Sequence, residues 1–573
     1  MESDSNHDVF IEPPDVRDFT DEDSGDENLD GCHSAEKLSR GQLLAPAEVR
    51  SRGNEIEDDL IEDVSTETGK SSTKKRKTTG YTWKTDATVR RCNIFPQGNY
   101  SKYLDFSPAE IFDLFIDEDK LNLMREEMQK YSIKRNWPDI KVQISELKIF
   151  IAILLLTGYN TLPRKPMYWS KSEDIFNEAV SNAMRRDRFD NIMKYLHFNS
   201  CNLDTSDKYT KIRPLIQHLQ GKFMQHFVPS KDISHDEAMV EYFGKHGCKQ
   251  AIGNKRVRFG YKVWCQNTDR KCRPCAFDVY QGKTFKGNEE VEKKFGKCSA
   301  TVLQLLSSYD EEKKALPYHF FFDNLFTSLP LLQELQKQRY DGTGTLRANR
   351  LEKSCPLKSQ SSIDKSERGS FHCVTGALDD TQVNVTRWKD NAVVTAASTL
   401  LREHPVGEVR RWSKAEKKHI QVKIPHVINI YNQHMGGTDR MDQNVNAYRI
   451  AVRGKKWWWP LFTWLVDVCV QNAWILSRCA GKNIDLLGFR REIVMSYLLR
   501  FRNLPKTSGR KSVSKPGEND ARFDQTDHFV EPTPNSERRR CAGEICGARV
   551  RTQCCKCDVG LCIQCFRKYH TRS

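Results

Sequence analysis

The run Tyr318-His319-Phe320-Phe321-Phe322 closing on Asp323 limits what this chain can fold into more than any other segment. An apolar strand that ends on an aspartate puts a hard anionic oxygen donor at the rim of a sheet. Two further carboxylates stand in different settings. Asp236 lies in Ile233-Ser234-His235-Asp236-Glu237, and Asp439 in Met435-Gly436-Gly437-Thr438-Asp439-Arg440-Met441-Asp442. Rims of this kind brought together can hold a pair of magnesium ions, the arrangement that phosphodiester cleavage and transfer require. Strands followed by a helix, with Asp on the first strand, Asp on a later strand and Asp near a helix, describe an α/β RNase H-like nuclease core.

Charge points to the same class of partner. Residues 1–64 carry 20 acidic and 5 basic side chains and the remainder 56 and 86, a net of −15 against +30. A body that basic implies a polyanion, and nucleic acid is the default. The start of the chain is acidic and polar, unlike a secretory signal. The stretch 149–156 is too short to span a bilayer, and 457–476 contains Pro460, Asp467, Gln471 and Asn472. One central Asp alone costs roughly 2.5–3.5 kcal/mol on insertion scales, so that stretch reads as a buried helix and no membrane contact is expected.

Residues 1 to about 100 are poor in apolar side chains and read as disordered. They hold an acidic serine site around Ser24 and the basic tetrad Lys74-Lys75-Arg76-Lys77, a candidate nuclear import signal. Order is expected near Ser107-Pro108-Ala109-Glu110, which has the form of a capping box. From there to about 230 the pattern is helical, with a buried helix over 146–156 and an amphipathic one over 174–197. Strands follow over 259–265, 275–280, 320–322 and 344–346, with a helix over 329–338. Residues 346–424 are polar and strand-prone, an insertion outside the main sheet. Helices return from 427 to 502, and a basic linker follows.

The tail has the spacing Cys541-x4-Cys546-x7-Cys554-x2-Cys557-x4-Cys562-x2-Cys565-x4-His570. Thiolates separated by two residues bite one tetrahedral zinc, and an intracellular-looking chain argues against disulfides. Seven ligands do not close two sites, and His528 upstream offers an eighth. The expected set is a two-zinc cross-brace of His528, Cys541, Cys546, Cys554, Cys557, Cys562, Cys565 and His570. Cys555 is the spare thiol, able to exchange roles with Cys554.

Several motifs in order make the chain resemble the piggyBac family of DNA transposases and their host-derived relatives. They are Arg185-Arg186-Asp187-Arg188-Phe189, Tyr195-Leu196-His197-Phe198, Lys211-Ile212-Arg213-Pro214-Leu215, Asp236-Glu237 and Arg258-Phe259-Gly260-Tyr261-Lys262. Asp323-Asn324-Leu325-Phe326-Thr327-Ser328, Gly342-Thr343-Gly344-Thr345, Tyr431-Asn432-Gln433, Gly436-Gly437-Thr438-Asp439 and Asp442-Gln443 complete the series. The resemblance implies an RNase H-like catalytic domain with a β-rich insertion, a split all-α dimerisation and DNA-binding domain, and a cysteine-rich zinc domain. It places the catalytic, magnesium-binding aspartates at Asp236, Asp323, Asp439 and Asp442, with two Mg2+ per site. It also implies hairpin chemistry at TTAA sites in double-stranded DNA, recognition of terminal repeats, a homodimer and action in the nucleus.

The implied divisions are an acidic region at 1–104, a helical domain at 105–230 and 449–502, and a catalytic domain at 231–345 and 425–448. The insertion occupies 346–424, the linker 503–525 and the zinc domain 526–573. A domesticated DNA-binding or chromatin factor that no longer cuts is the competing use of the same chain, and a RING- or PHD-like partner-binding role the competing use of the tail. Lys455, Lys456 and Arg453, beside Trp457-Trp458-Trp459, are candidates for phosphate contact, as are Arg185 and Arg188. The tryptophans are expected to pack, the arginines of 185–188 equally to form salt bridges, and His235 and Asn324 to support the aspartates or pack.

Overall fold

The computed structural model describes residues 7–11, 47–51, 81–84, 95–96, 98–201, 203–252, 257–268, 273–282, 289–414, 416–501 and 520–571. Ser24, the basic tetrad at 74–77 and most of the linker lie outside them. The chain forms two compact units, residues 1–505 and 506–573.

In the first unit, β1 (His7–Ile11) pairs antiparallel with β2 (Ala47–Ser51). Ten further strands form one mixed sheet. They are β3 (Thr82–Lys84), β4 (Asp232–Glu241), β5 (Gln250–Ala251), β6 (Phe259–Thr268), β7 (Arg273–Val279), β8 (His319–Phe322), β9 (Asp341–Thr345), β10 (Phe371–Leu378), β11 (Thr381–Lys389) and β12 (Val393–Ser398). The order is β3-β10-β11-β12-β9-β8-β4-β6-β5, with β7 also on β6. β4, β8 and β9 run parallel, and β6 is antiparallel to β4. β13 (Gly407–Ser413) and β14 (Lys418–Ile424) form a separate hairpin.

Two expectations change here. Residues 346–424 are not outside the main sheet, because β12 pairs with β9 through Ala396–Thr345, Ala397–Gly344 and Ser398–Thr343. Order also begins before Pro108. β3 pairs with β10, and the Trp83 ring lies where a side chain on Gly376 would stand.

The main helices of this unit are α1 (Pro108–Asp113), α2 (Glu118–Lys134), α3 (Ile144–Thr157), α4 (Glu178–Ala183), α5 (Arg186–Tyr195), α6 (Arg213–His226), α7 (Glu289–Phe295), α8 (Lys297–Ser307), α9 (Leu329–Lys337), α10 (His426–His434), α11 (Gly437–Ala447), α12 (Trp459–Cys479) and α13 (Leu486–Phe501). Ser107 and Glu110 form the anticipated capping box. The single helix read over 174–197 is two. Met184 is extended and gives its carbonyl to the Trp169 indole at 2.7 Å, so α5 starts afresh after Arg185.

Alternation along the central strands gives the sheet a core on each face. Ala238, Val240, Tyr261, Val263 and Cys265 pack with the helical core that includes α3, α12 and α13. Ile233, Trp264, Phe320 and Phe322 pack with Val302 of α8 and Leu331 and Leu332 of α9. The stretch weighed against a membrane span is α12. Its Asp467 is buried against Arg490, Oδ1 to Nη2 at 2.8 Å, and accepts the Ile450 amide at 3.1 Å. Among the described residues, no helix is long and apolar enough to cross a membrane.

Candidate active site and metal centres

Parallel pairing sets the acid site. His235 of β4 stands opposite Phe322, the last residue of β8, so Asp236 and Asp323 are the next step on neighbouring strands. Asp236 shares its face with Ser234, and α11 lies on that face. Gly437 is the point of closest approach, since a Cβ there would overlap the Ser234 hydroxyl. The Asn267 amide donates to the Thr438 hydroxyl at 2.6 Å and anchors the first turn. One turn later comes Asp442, close enough to Cys265, the residue paired with Asp236, to act on its thiol. Burial pushes the Cys265 thiol well up, and Asp442 and then Asp236 push it further. Asp439, in the first turn of α11, is exposed.

Asp236 is 9 % exposed and accepts the Glu237 amide at 2.8 Å. Asp323 accepts the Leu325 amide at 2.8 Å, and the Thr327 hydroxyl donates to its carbonyl at 2.6 Å. Tyr431 of α10 was part of the family resemblance without an assigned chemistry, yet it belongs to this site. Burial raises its phenol, a hydrogen bond with Thr345 opposes this, and Asp323 and Asp236 raise it again. Asp236, Asp323 and Asp442 thus share one face of the sheet, where β8 ends beside the middle of β4. These oxygen donors suit a hard divalent cation.

His235 points to the opposite face. Its Nε2 is 3.0 Å from the Thr301 hydroxyl, and burial drives its pKa down to about 3, so it is a neutral core residue. Asn324 is exposed and takes the Arg347 guanidinium at 3.4 Å.

The candidate cations divide. Lys456 donates to the carbonyls of Lys194 at 2.9 Å and Leu196 at 2.7 Å, and stands over the Tyr131 and Trp458 rings. Arg188 binds both oxygens of Glu146, at 2.7 and 2.6 Å, and the Ile140 carbonyl. Both are thereby committed to holding helices together. Lys455 and Arg453 are exposed, and Arg185 lines an open basic groove with Arg164, Lys171 and Arg186. Trp457, Trp458 and Trp459 are buried.

In the second unit the eight expected tail ligands separate into two groups, His528, Cys554, Cys557 and His570, and Cys541, Cys546, Cys562 and Cys565. Within each group the ligand atoms lie within 4.8 Å of one another. Among the described residues the four aspartates are not drawn into a group that tight. The tail groups interleave along the chain, so neither closes on one contiguous segment.

The histidines are oriented from behind. Asp524 is 3.0 Å from His528 Nε2, leaving Nδ1 at 3.4 and 3.5 Å from the sulfurs of Cys554 and Cys557. His570 gives Nδ1 to the Arg522 carbonyl at 2.9 Å, and its buried Nε2 has no hydrogen-bond partner among the described residues. Imidazoles held on the outer nitrogen, with the inner one facing thiols, fit a tetrahedral metal. Cys555 faces elsewhere, 3.2 Å from the Asp527 carbonyl. Asp524 was missed by sequence reading, although its place four residues before His528 was the available signal.

Comparison with known proteins assigns the chain to a family. A family model described as Transposase IS4 matches residues 107–474. The human protein named PiggyBac transposable element-derived protein 3 is 37% identical over 588 residues, covering 98% of this chain and 96% of its own length. The chain belongs to the piggyBac transposase family. Human PiggyBac transposable element-derived protein 2 is similar at 36% identity, over 98% of this chain and 93% of its own. Among solved structures, a piggyBac transposase in a synaptic complex with hairpin DNA superposes with a TM-score of 0.57 at 17% identity. It covers 81% of this chain and 98% of that one, and the likeness is one of fold.

Proposed function

We propose that this member of the piggyBac family is a DNA transposase, or a domesticated derivative of one, that cuts and joins DNA strands at TTAA sites. The observation carrying the reading is the approach of Asp236, in the middle of β4, to Asp323, just past the end of β8, and to Asp442 of α11. The order β7-β6-β4-β8-β9, with β4, β8 and β9 parallel, supports an RNase H-like core for residues 231–345 and 425–448.

In this reading Asp236, Asp323, Asp439 and Asp442 hold two magnesium ions. Bound there, such ions lower the pKa of an attacking water or 3′-hydroxyl and stabilise the departing oxygen. The protein's own part is positional. Gly437 lets α11 sit directly on β4, so its acids reach over the strand that carries Asp236. The Thr327 hydroxyl and the Leu325 amide fix the loop that carries Asp323. Tyr431 lies close enough to both acids for each to act on its phenol.

Lys455, Arg453 and Arg185 are the phosphate contacts in this reading, and the two tail groups hold two zinc ions that shape a DNA-reading module. Pairing two DNA ends calls for a homodimer, and double-stranded DNA as substrate for action in the nucleus.

The name "element-derived" on the human relatives favours a second reading, a factor that binds DNA and no longer cuts. One cell assay separates the two. A reporter interrupted at TTAA by the gene's own flanking ends is scored for clean repair, with wild type and Asp236→Ala. Repair by wild type that falls to background in the variant establishes the enzyme. No repair by either, with DNA binding that needs zinc, establishes the binder.

A further inference from the structure

Beyond the acid site, the other face of the same strand carries a cavity to which no role has been given. β8 stops opposite His235, while β4 runs on to Glu241 with β6 along its other edge. Successive strand residues point to opposite faces, so Asp236 looks to the α11 side and Glu237 to the α8 side. Below Glu237 is a cavity of about 370 Å³, lined among others by Lys262, Trp264, Tyr280, Lys297 and Leu325. Leu325 is two residues past Asp323, so both acid-bearing segments border the cavity as well as the acid site.

We propose that this cavity receives one unstacked nucleobase, adenine by preference, from the strand lying across the aspartates. The inference rests on the DNA-cutting reading above. At 370 Å³ the cavity lies near the small end of ligand pockets, enough for one flat heterocycle. Trp264 supplies a ring to stack on, with the Tyr280 ring edge-on at 5.9 Å. The Lys262 ammonium is 4.1 Å above Trp264 and is the movable group on that face. A base that slides in exchanges a cation–π contact for stacking and frees the lysine to meet its phosphate.

Lys262, Arg350, Glu237 and Arg347 are close enough to Cys298 to act on its thiol, whose pKa burial has already raised. These charges therefore gather around Cys298, which itself lines the cavity. Glu237 is 9 % exposed and, as a carboxylate, can only accept. It suits an exocyclic amine, as on adenine or cytosine, and repels the carbonyl edge of thymine or guanine. At a TTAA site the amine-bearing base is adenine.

The test uses the full-length protein with calcium in place of magnesium, and duplexes centred on TTAA. Each adenine is replaced in turn by purine, which lacks only the amine. Wild type should bind one substituted duplex about tenfold more weakly than the parent, the size of one lost base-edge contact. Glu237→Met should bind parent and substituted duplexes equally, and Trp264→Leu should weaken both. Binding without preference at any position overturns the pocket and leaves the transposase reading intact. A preference that survives in Glu237→Met also overturns it. No binding to any duplex overturns the pocket together with the reading beneath it. Should Glu237→Met fail to fold, the purine series on wild type still decides.

Discussion

The two units of this chain reach a fixed structure by different physics. Residues 1–505 bury two large apolar cores, one on each face of the sheet, with residues such as Phe112, Phe150, Trp458 and Phe322 fully enclosed. The tail's enclosed core is Cys541, Cys554 and Leu561. Two of those three are candidate metal ligands, and Ile545, Ile563 and Phe529 stand exposed. A domain this small cannot meet the entropy of ordering its chain from apolar burial alone and needs a staple. The body is held by what water rejects, and the tail by what its thiols and imidazoles can bind together.

The largest effect that would break this contrast is metal removal. All eleven tryptophans precede residue 505, so tryptophan fluorescence reports on the body alone. Chelation should leave that signal and its melting point in place, while amide exchange across 520–571 collapses to unprotected rates. Structural zinc in small fingers contributes about 10–16 kcal/mol of apparent folding energy, more than the tail can replace. Cys554→Ser should act in the same direction. A tail that keeps its protection in chelator would mean that its packing suffices without metal. Mass spectrometry under native conditions should count two zinc ions per chain.

A second experiment puts the body under a comparable polar dependence. Arg490 reaches Asp467 at 2.8 Å and donates to the Leu155 carbonyl at 2.9 Å, joining α13 to α12 and α3 within the helical core. Burial already raises the pKa of Asp467, against the opposing pull of Arg490. Arg490→Met would leave that carboxylate without its counter-charge, at a cost of about 3–5 kcal/mol. Denaturant unfolding followed by tryptophan fluorescence measures the loss. Replacing both partners with apolar residues should recover much of it, which would show that the pair is tolerated in the body's core and not required by it. No such recovery is expected for a doubled substitution in the tail.

Much of the central sheet was legible because its signals are local. Phe320-Phe321-Phe322 before Asp323 fixes a strand and its end, and Ser107 with Glu110 fixes a helix start. Most of the tail ligands were legible because thiol spacing is itself a ligand code, but their division into two groups was not, since spacing does not say which pairs share a site. What escaped were relations between distant segments. Whether residues 346–424 extend the main sheet depends on Ala396 and Ala397 meeting Thr345 and Gly344, about fifty residues apart, and polarity does not encode such a pairing. The break at Met184 depends on the Trp169 indole claiming its carbonyl. Lys456 and Arg188 looked like phosphate contacts because sequence shows a cation but not the carbonyls or carboxylate it meets. Tyr431 entered the acid site through the path of α10, which no local pattern foretells.

The smallest expected effect is the sharpest test of how the tail selects its ligands. Cys554 and Cys555 are adjacent and chemically identical, so spacing alone could not choose between them. The fold can, because Cys554 ends the strand Thr552–Cys554 and faces inward beside His528, whereas Cys555 is exposed. The Cys555 thiol is 3.2 Å from the Asp527 carbonyl and takes the Phe529 amide at 3.4 Å. A serine hydroxyl can make both contacts, and exposed substitutions of this kind usually change stability by no more than about 0.5 kcal/mol. Cys555→Ser should therefore keep two zinc ions and an unaltered tail, while Cys554→Ser loses one. If Cys555→Ser instead releases metal, the strand register at residue 554 is wrong. The neighbouring thiol would then be the fourth ligand beside His528, Cys557 and His570.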